Sequence, residues 1–211
     1  MKNFVFISLA VVIVIIMVFV TSALSPKQDE KITAFSNSLK FEEKGDYKKA
    51  IGELTKVLEE NKSDYLLNLR LGWLYYNLKD YKNSKKYYLE AGKIKSTSVE
   101  PLLGLTYPLA ELNEWKEVNA TYTKILKIDP NNFTANLRLG QIYLTNGDYS
   151  NAKKYIEKAY ELYPAEFEPN LSLGWTYYYL GNKARAKELF TAALMLSNDN
   201  KLALEGMQLV K

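Results

Sequence analysis

The chain of 211 residues contains no cysteine and no histidine. Their absence excludes disulfide bonds, thiol nucleophiles, imidazole general bases and metal sites built on thiolate or imidazole ligands. The excess of positive over negative charge is also small, because the formal net charge is only +4. A charge of this size gives no support for a nucleic-acid-binding surface. The remaining composition, 47% hydrophobic and 25% charged, is that of a globular protein with enough apolar side chains for a core.

The short motifs of common catalytic sites are missing as well. The sequence has no glycine-rich phosphate loop, no nucleophile elbow and no cluster of metal ligands. Adjacent acidic pairs such as Glu42–Glu43 point to different faces of a helix and therefore do not form a catalytic pair. We predict that the protein is not an enzyme and uses no cofactor and no metal ion.

The N-terminus carries the one long apolar segment of the chain. An uncharged run extends from Phe4 to Val20. It is longer than the usual core of a signal peptide and lies at the lower limit for a membrane-spanning helix. Residues 1–24 are therefore predicted to form a transmembrane anchor, with a signal sequence cleaved after Ala23 as the alternative. Residues 25–30 are predicted to be a polar linker.

The orientation of this segment is open at the level of sequence. Short N-terminal anchors usually insert with the N-terminus inside, which favours an extracytoplasmic domain, in the periplasm or at the cell surface. The lysines that follow the segment favour the opposite orientation, because positive charge is enriched on the cytoplasmic side. If the segment is cleaved, the domain is instead secreted.

A repeat with a period of about 34 residues covers the rest of the chain. The string NLRLG occurs at 68–72 and again at 136–140, and NLSLG follows at 170–174. The string GDY at 45–47 and 147–149 keeps the same phase. The repeat divides residues 31–200 into five units without insertion: 31–64, 65–98, 99–132, 133–166 and 167–200. The tail, 201–211, is predicted to be a capping helix with Leu204 and Met207 toward unit five.

Each unit contains two runs in which apolar and small residues recur every three or four positions. This spacing predicts two amphipathic helices per unit. In three units a glycine lies between the runs, where a helix end favours a left-handed residue: Gly45, Gly147 and Gly181. The last residues of the units, four of which are good caps for the next helix, are Asp64, Ser98, Asn132, Glu166 and Asn200.

This pattern resembles the tetratricopeptide repeat family over residues 31–211. The family combines a Trp/Leu-Gly-Tyr run in the first helix with Ala, an aromatic residue and Ala in the second, followed by Pro. Unit four carries the motif most fully, with Leu139, Gly140, Tyr143, Ala152, Ile156, Ala159 and Pro164. The resemblance implies an all-α fold, a right-handed α–α superhelical solenoid of helix hairpins, preceded here by the N-terminal hydrophobic helix.

The resemblance also implies a concave groove lined by the first helices, where the family binds proteins or peptides. In this sequence the groove positions are rich in large apolar and aromatic residues, whereas a solvated helix face is normally charged. The predicted partner-binding residues are Leu66, Leu69, Arg70, Trp73, Tyr76, Leu103, Tyr107, Leu137, Arg138, Gln141, Leu144, Leu171, Trp175, Tyr178 and Tyr179. The same side chains would instead pack against each other if the solenoid curves tightly. Trp115, in a different phase, is expected to pack in the core.

These observations predict a membrane-anchored or exported scaffold that binds a protein or peptide partner in an assembly or adaptor role. The alternative is a structural solenoid that self-assembles into a homo-oligomer, for which Leu202, Leu209 and Val210 of the tail supply apolar surface. A membrane contact is expected only through the N-terminal segment, and no nucleic acid is expected to bind.

Unit three departs from the pattern in its first helix, PLLGLTYPLAEL at 101–112. Pro108 removes a backbone hydrogen bond and clashes with the carbonyl of Gly104, four residues earlier. Thr106 takes the usual place of the glycine. We predict a helix with a kink between Gly104 and Pro108, and the alternative is the drift of one repeat without functional consequence.

Overall fold

The computed structural model describes residues 26–211, and within that range it contains helices and turns but no β-strand. The eleven α-helices are α1 Pro26–Glu43, α2 Tyr47–Thr55, α3 Tyr65–Asn77, α4 Tyr81–Ile94, α5 Glu100–Glu111, α6 Trp115–Ile128, α7 Phe133–Thr145, α8 Tyr149–Leu162, α9 Phe167–Tyr179, α10 Lys183–Leu196 and α11 Lys201–Leu209. The predicted anchor or signal sequence, 1–24, lies outside the described residues. From residue 26 onward, no helix is both long and apolar enough to span a bilayer.

The chain divides into two compact units, of which the first ends at Glu60 and the second runs from Asn61 to Lys211. Helices α1 and α2 form a hairpin in the first unit. Helix α1 begins at Pro26, so residues 26–30, predicted as a linker, form its first turns instead. Proline is favoured at the first position of a helix, and the negative charge of Asp29 suits the N-terminal turn.

In the second unit, four antiparallel hairpins follow one another and a single helix ends the row. The hairpins are α3/α4, α5/α6, α7/α8 and α9/α10; the second helix of each packs against the first helix of the next, and α11 packs against α10 and α9. Two helices per repeat are therefore confirmed for this unit. The core of the row is made of the apolar stripes that each hairpin leaves uncovered, as expected for a repeat protein.

The turn within each hairpin places one residue per repeat in the left-handed region. These residues are Gly45, Lys79, Asn113, Gly147 and Gly181, with φ between 59° and 81°. The prediction for the three glycines is confirmed. Lys79 and Asn113 adopt the same backbone conformation with a side chain, because the fold requires it at that position of every repeat.

The caps between hairpins follow the sequence prediction in part. Asp64, Asn132 and Asn200 each accept a hydrogen bond from the backbone N–H three residues later. The prediction is wrong for Ser98, because Val99 holds the cap position of α5 and makes no side-chain hydrogen bond there. The hydroxyl of Ser98 instead lies 3.1 Å from the hydroxyl of Tyr65.

Three buried asparagines fix the turns that precede the first helices. Asn136 is typical: its Nδ2 donates to the carbonyls of Pro130, at 3.0 Å, and Asn132, at 2.9 Å. Asn68 and Asn170 make the equivalent pairs of bonds. These residues open the strings NLRLG and NLSLG, and their spacing was visible in the sequence although their role was not. Unit three has Leu102 at this position.

Helix α5 is continuous from Glu100 to Glu111 and passes through Pro108, so this stretch is not a loop. The bend at Gly104–Pro108 stays a prediction. Packing against the preceding repeat explains why residue 104 is a glycine, because the ring of Tyr88 lies against it. The same ring also lies against Gly72, and Phe190 likewise lies against both Gly174 and Gly206. Close approach of helices at these two places therefore uses glycines from two helices around one aromatic ring.

Candidate functional site

The first helices of the second unit carry the predicted partner-binding residues, and the structure divides them by exposure. Leu66, Trp73, Tyr107, Arg138 and Tyr179 are exposed. Leu69, Arg70, Tyr76, Leu103, Gln141, Leu144, Leu171, Trp175 and Tyr178 are half-buried. The prediction that Leu137 contacts a partner is wrong, because its side chain is only 2% exposed.

Several of the half-buried leucines belong partly to the core. Leu69 and Leu103 pack against the apolar cluster around Tyr88 and Leu105. Leu171 packs against the cluster formed by Ala186, Phe190 and Val210. The two interpretations left open by the sequence therefore apply to different residues of the same face: neighbouring helices partly cover Leu69, Leu103 and Leu171, whereas Leu66 and Tyr107 remain exposed.

One aromatic cluster joins α3, α4 and α5. The ring of Tyr76 lies at the centre, with centroid distances of 6.3 Å to Trp73, 5.8 Å to Tyr81 and 5.5 Å to Tyr107. Tyr107 is 52% exposed. The cluster therefore presents rings to solvent on one side while it holds three helices together on the other.

A second aromatic cluster surrounds Trp175 on α9. Its ring meets Phe190 edge to face at 5.2 Å and Tyr178 at 5.8 Å. Tyr179 stacks on Tyr149 of α8 at 4.8 Å. Trp175 and Tyr178 thus contribute mainly to packing, whereas Tyr179 is the exposed member.

A polar network lies between the two clusters. The guanidinium of Arg138 on α7 forms an ion pair with Glu168 on α9, with Nη1 2.8 Å from Oε2. The same Nη1 donates to Oε1 of Gln141 at 2.9 Å, and Gln141 Nε2 donates to the hydroxyl of Ser172 at 3.0 Å. Arg138 therefore already has a carboxylate partner within the fold.

A pocket of about 600 Å³ lies between α5 and α7. Its floor contains the buried residues Thr106, Val118 and Tyr122, and its rim contains exposed or half-buried side chains: Tyr76, Tyr107, Glu111, Trp115, Arg138 and Gln141. Trp115 is 55% exposed, so the prediction that it packs in the core is wrong. Its place at the start of α6 directs it to the pocket rather than into the row of hairpins.

The pocket follows from two departures from the repeat. Where units two, four and five have glycine against a large side chain of their second helix, unit three has Thr106, whose Oγ1 lies 3.4 Å from the hydroxyl of Tyr122. The first helix of unit three has Gly104 against Tyr88. At the same position, the first helix of unit four has Arg138. Without a glycine at either position, α5 and α7 flank an open space above the buried ring of Tyr122.

Several tyrosines at the site titrate above their ordinary range. Partial burial and the nearby Glu111 carboxylate raise the pKa of both Tyr76 and Tyr81. Burial raises the pKa of Tyr122. These phenols are therefore neutral near pH 7 and act as apolar rings and hydrogen-bond donors. Across residues 26–211, the structure brings together no group of acidic side chains suited to a metal ion.

Helix hairpins stacked in a row through shared apolar stripes define an α-solenoid, a class built for extended contact surfaces. The family model of the tetratricopeptide repeat matches residues 66–97, 133–166 and 168–200. These matches fall within the predicted units two, four and five. The chain is a tetratricopeptide repeat protein.

Solved structures share this fold. MamA is 20% identical, with a TM-score of 0.71 over 81% of this chain and 93% of its own. A tetratricopeptide repeat protein from Parabacteroides merdae is 18% identical, with a TM-score of 0.75 over 86% of this chain and 72% of its own. YrrB, described as having an unusual peptide-binding site, is 20% identical, with a TM-score of 0.70 over 86% and 94%. At these identities the likeness extends to the fold alone. No curated protein matches the sequence.

Proposed function

We propose that the protein is a non-catalytic scaffold that binds a segment of a partner protein at the pocket between α5 and α7. The observation that carries the proposal is the exposure of large rings around that pocket, since Tyr107 and Trp115 are each more than half exposed. Exposed aromatic residues that surround a concavity mark interaction sites more often than other surfaces do. The fold supports this role because such solenoids present their first helices to partners.

The extent of the exposed rings along the first helices supports a peptide segment rather than a small molecule. The rim spans the first helices of units three and four, and the exposed rings of Trp73 and Tyr179 lie on helices α3 and α9, on either side of those two. A partner that follows this face in an extended conformation would contact several helices in turn.

The experiment replaces Tyr107 by a photo-crosslinking amino acid in the full chain and irradiates native membranes. Tyr163, an exposed ring that contacts Phe133 outside the pocket, is the matched control position. We expect a discrete adduct from position 107 that is absent at position 163. If both positions give the same adducts, or neither gives one, the pocket is not the binding site.

Self-assembly is the second candidate, and the C-terminal end of the solenoid favours it. Met195 is 83% exposed, and Leu196, Leu202 and Leu209 are also exposed. Val210, predicted as part of this surface, is buried against Phe190, and Leu204 is exposed rather than turned toward unit five. Exposed apolar side chains at a solenoid end resemble the surface that a further repeat would cover.

Sedimentation of the full chain in detergent over a hundredfold concentration range tests this candidate. Self-assembly predicts an oligomer that dissociates on dilution and that Leu202→Glu weakens, with Lys201→Glu as the control on the same helix. A monomer at every concentration would eliminate it.

We also propose that residues 1–24 attach the protein to a membrane and that the repeats lie outside the cytoplasm. The support is the uncharged run from Phe4 to Val20. Resistance to alkaline extraction together with an intact N-terminus would support the anchor. An N-terminus at Leu24 in a soluble fraction would support cleavage after Ala23 instead, and protection of the repeats from protease added to spheroplasts with an intact inner membrane would contradict the location.

A further inference from the structure

The charges around the pocket between α5 and α7 are not balanced. Glu111 lies one helical turn after Tyr107, so both side chains are on the same side of α5 and both line the pocket. Glu111 is exposed and its carboxylate interacts with the hydroxyl of Tyr81, but within residues 26–211 no lysine or arginine forms an ion pair with it. The pocket therefore has one carboxylate without a cationic partner inside the described fold.

The positive charge on the opposite rim is compensated. Arg138 pairs with Glu168 through Nη1 at 2.8 Å and also donates from Nη2 to Oε1 of Glu168 at 3.4 Å. An acidic side chain from a partner would have to compete with Glu168 for this guanidinium while lying near Glu111. Both effects disfavour an acidic ligand.

The aromatic rings favour a cation as well. Tyr76 and Tyr107 have their ring centroids 5.5 Å apart and planes inclined at 47°, and Trp115 lines the same pocket from α6. Rings around a concavity attract a positive charge to their faces, and tryptophan does so most strongly. A carboxylate beside such rings adds Coulomb attraction for the same charge.

We propose that the pocket binds a lysine or arginine side chain from the partner's segment, with the cation among Tyr76, Tyr107 and Trp115 and its charge paired with Glu111. The inference rests on the proposed binding function and specifies its chemistry. It assigns the negative side of the interface to this protein and the positive side to the partner.

Selection of random heptapeptides on the immobilised full chain in detergent tests the inference. The expected result is an excess of Lys or Arg at one position of the selected peptides. The selected peptides should also compete with one another for binding, as expected for a single shared site. We expect Glu111→Gln to weaken a selected peptide by about five- to thirtyfold, as expected for a lost ion pair beside aromatic rings. Tyr107→Leu should act in the same direction.

Glu117→Gln is the matched control, because it removes the same charge from an exposed acid on α6 that does not line the pocket. It should change the affinity by less than twofold. Peptides that bind the pocket but show no excess of basic residues, or that are indifferent to Glu111→Gln, overturn this inference and leave the binding function intact. If no peptide is selected that Tyr107→Leu weakens, both this inference and the pocket as a peptide site are wrong.

Discussion

The ring of Tyr88 lies against the backbone of Gly104, so that a β-carbon at position 104 would stand within 2.8 Å of three ring atoms. This contact joins the second helix of unit two to the first helix of unit three. It explains why the helix that contains Pro108 also carries a glycine two residues before the expected place.

We predict that Gly104→Ala lowers the free energy of unfolding by about 1–3 kcal/mol, because the added methyl group has no space beside the ring. Urea denaturation measures the change. Gly92→Ala is the control: its added β-carbon would have its nearest neighbour at 3.9 Å, so helix propensity should stabilise it by about 0.5–1 kcal/mol. Equal effects of the two substitutions would show that the Tyr88 contact is not the cause.

Lys79→Gly should stabilise the protein by about 1 kcal/mol, because Lys79 has φ of 64°, a conformation that disfavours a side chain. The equivalent residues 45, 147 and 181 are glycine. Gly147→Ala, at φ 78°, should cost a similar amount, because the same strain is introduced rather than removed. Thermal melting of both variants checks the pair, and shifts of the same sign would contradict the explanation.

Asn136→Leu should destabilise the protein by about 1–3 kcal/mol, the cost of leaving a partly buried polar group without its partner. The substitution removes the Nδ2 donor from the carbonyls of Pro130 and Asn132. Asn131→Ala, an exposed neighbour, should change stability by less than about 0.5 kcal/mol. Equilibrium unfolding in urea distinguishes the two.

Trp175→Ala and Tyr107→Ala should differ in their effect on folding. Trp175 packs on Phe190 and is half-buried, so its removal should cost about 3–5 kcal/mol. Tyr107 is largely exposed, and its removal should cost less than about 1 kcal/mol. Melting curves by circular dichroism test this, and a large loss at Tyr107 would mean that the ring is structural rather than available to a partner.

Stability should fall as the pH drops below about 4, through the loss of a helix cap. The side chain and backbone N–H of Asn151 donate to Asp148 and hold the pKa of that carboxyl below its ordinary value of 3.8. A lowered pKa in the folded state means that the stabilisation is complete above the unfolded value and is lost as pH falls through the folded one. Asp148→Asn should keep the cap, as Asn182 does for α10, and reduce the loss at acid pH. If Asp148→Asn and the unsubstituted protein lose melting temperature equally as the pH falls, this explanation is wrong.

The helices, their order and the hairpin turns were predictable from sequence because they depend on local chemistry. Apolar spacing within a short run determines a helix, and a glycine such as Gly147 between two such runs determines the turn. A strict repeat period then requires each hairpin to meet the next in the same way. Even the close contact at Gly140 follows from the motif that places it beside the second helix.

The candidate site depended on contacts between residues that are distant in sequence. Leu69 and Leu137 hold the same position of two repeats, yet Leu137 is buried and Leu69 is half-buried, because neighbouring helices cover them differently. The ion pair of Arg138 with Glu168 and the pocket beside Thr106 join different hairpins. The repeat determined which side chains share a face; only their packing decided which of them remain accessible to a partner, since burial depends on every helix that surrounds a position.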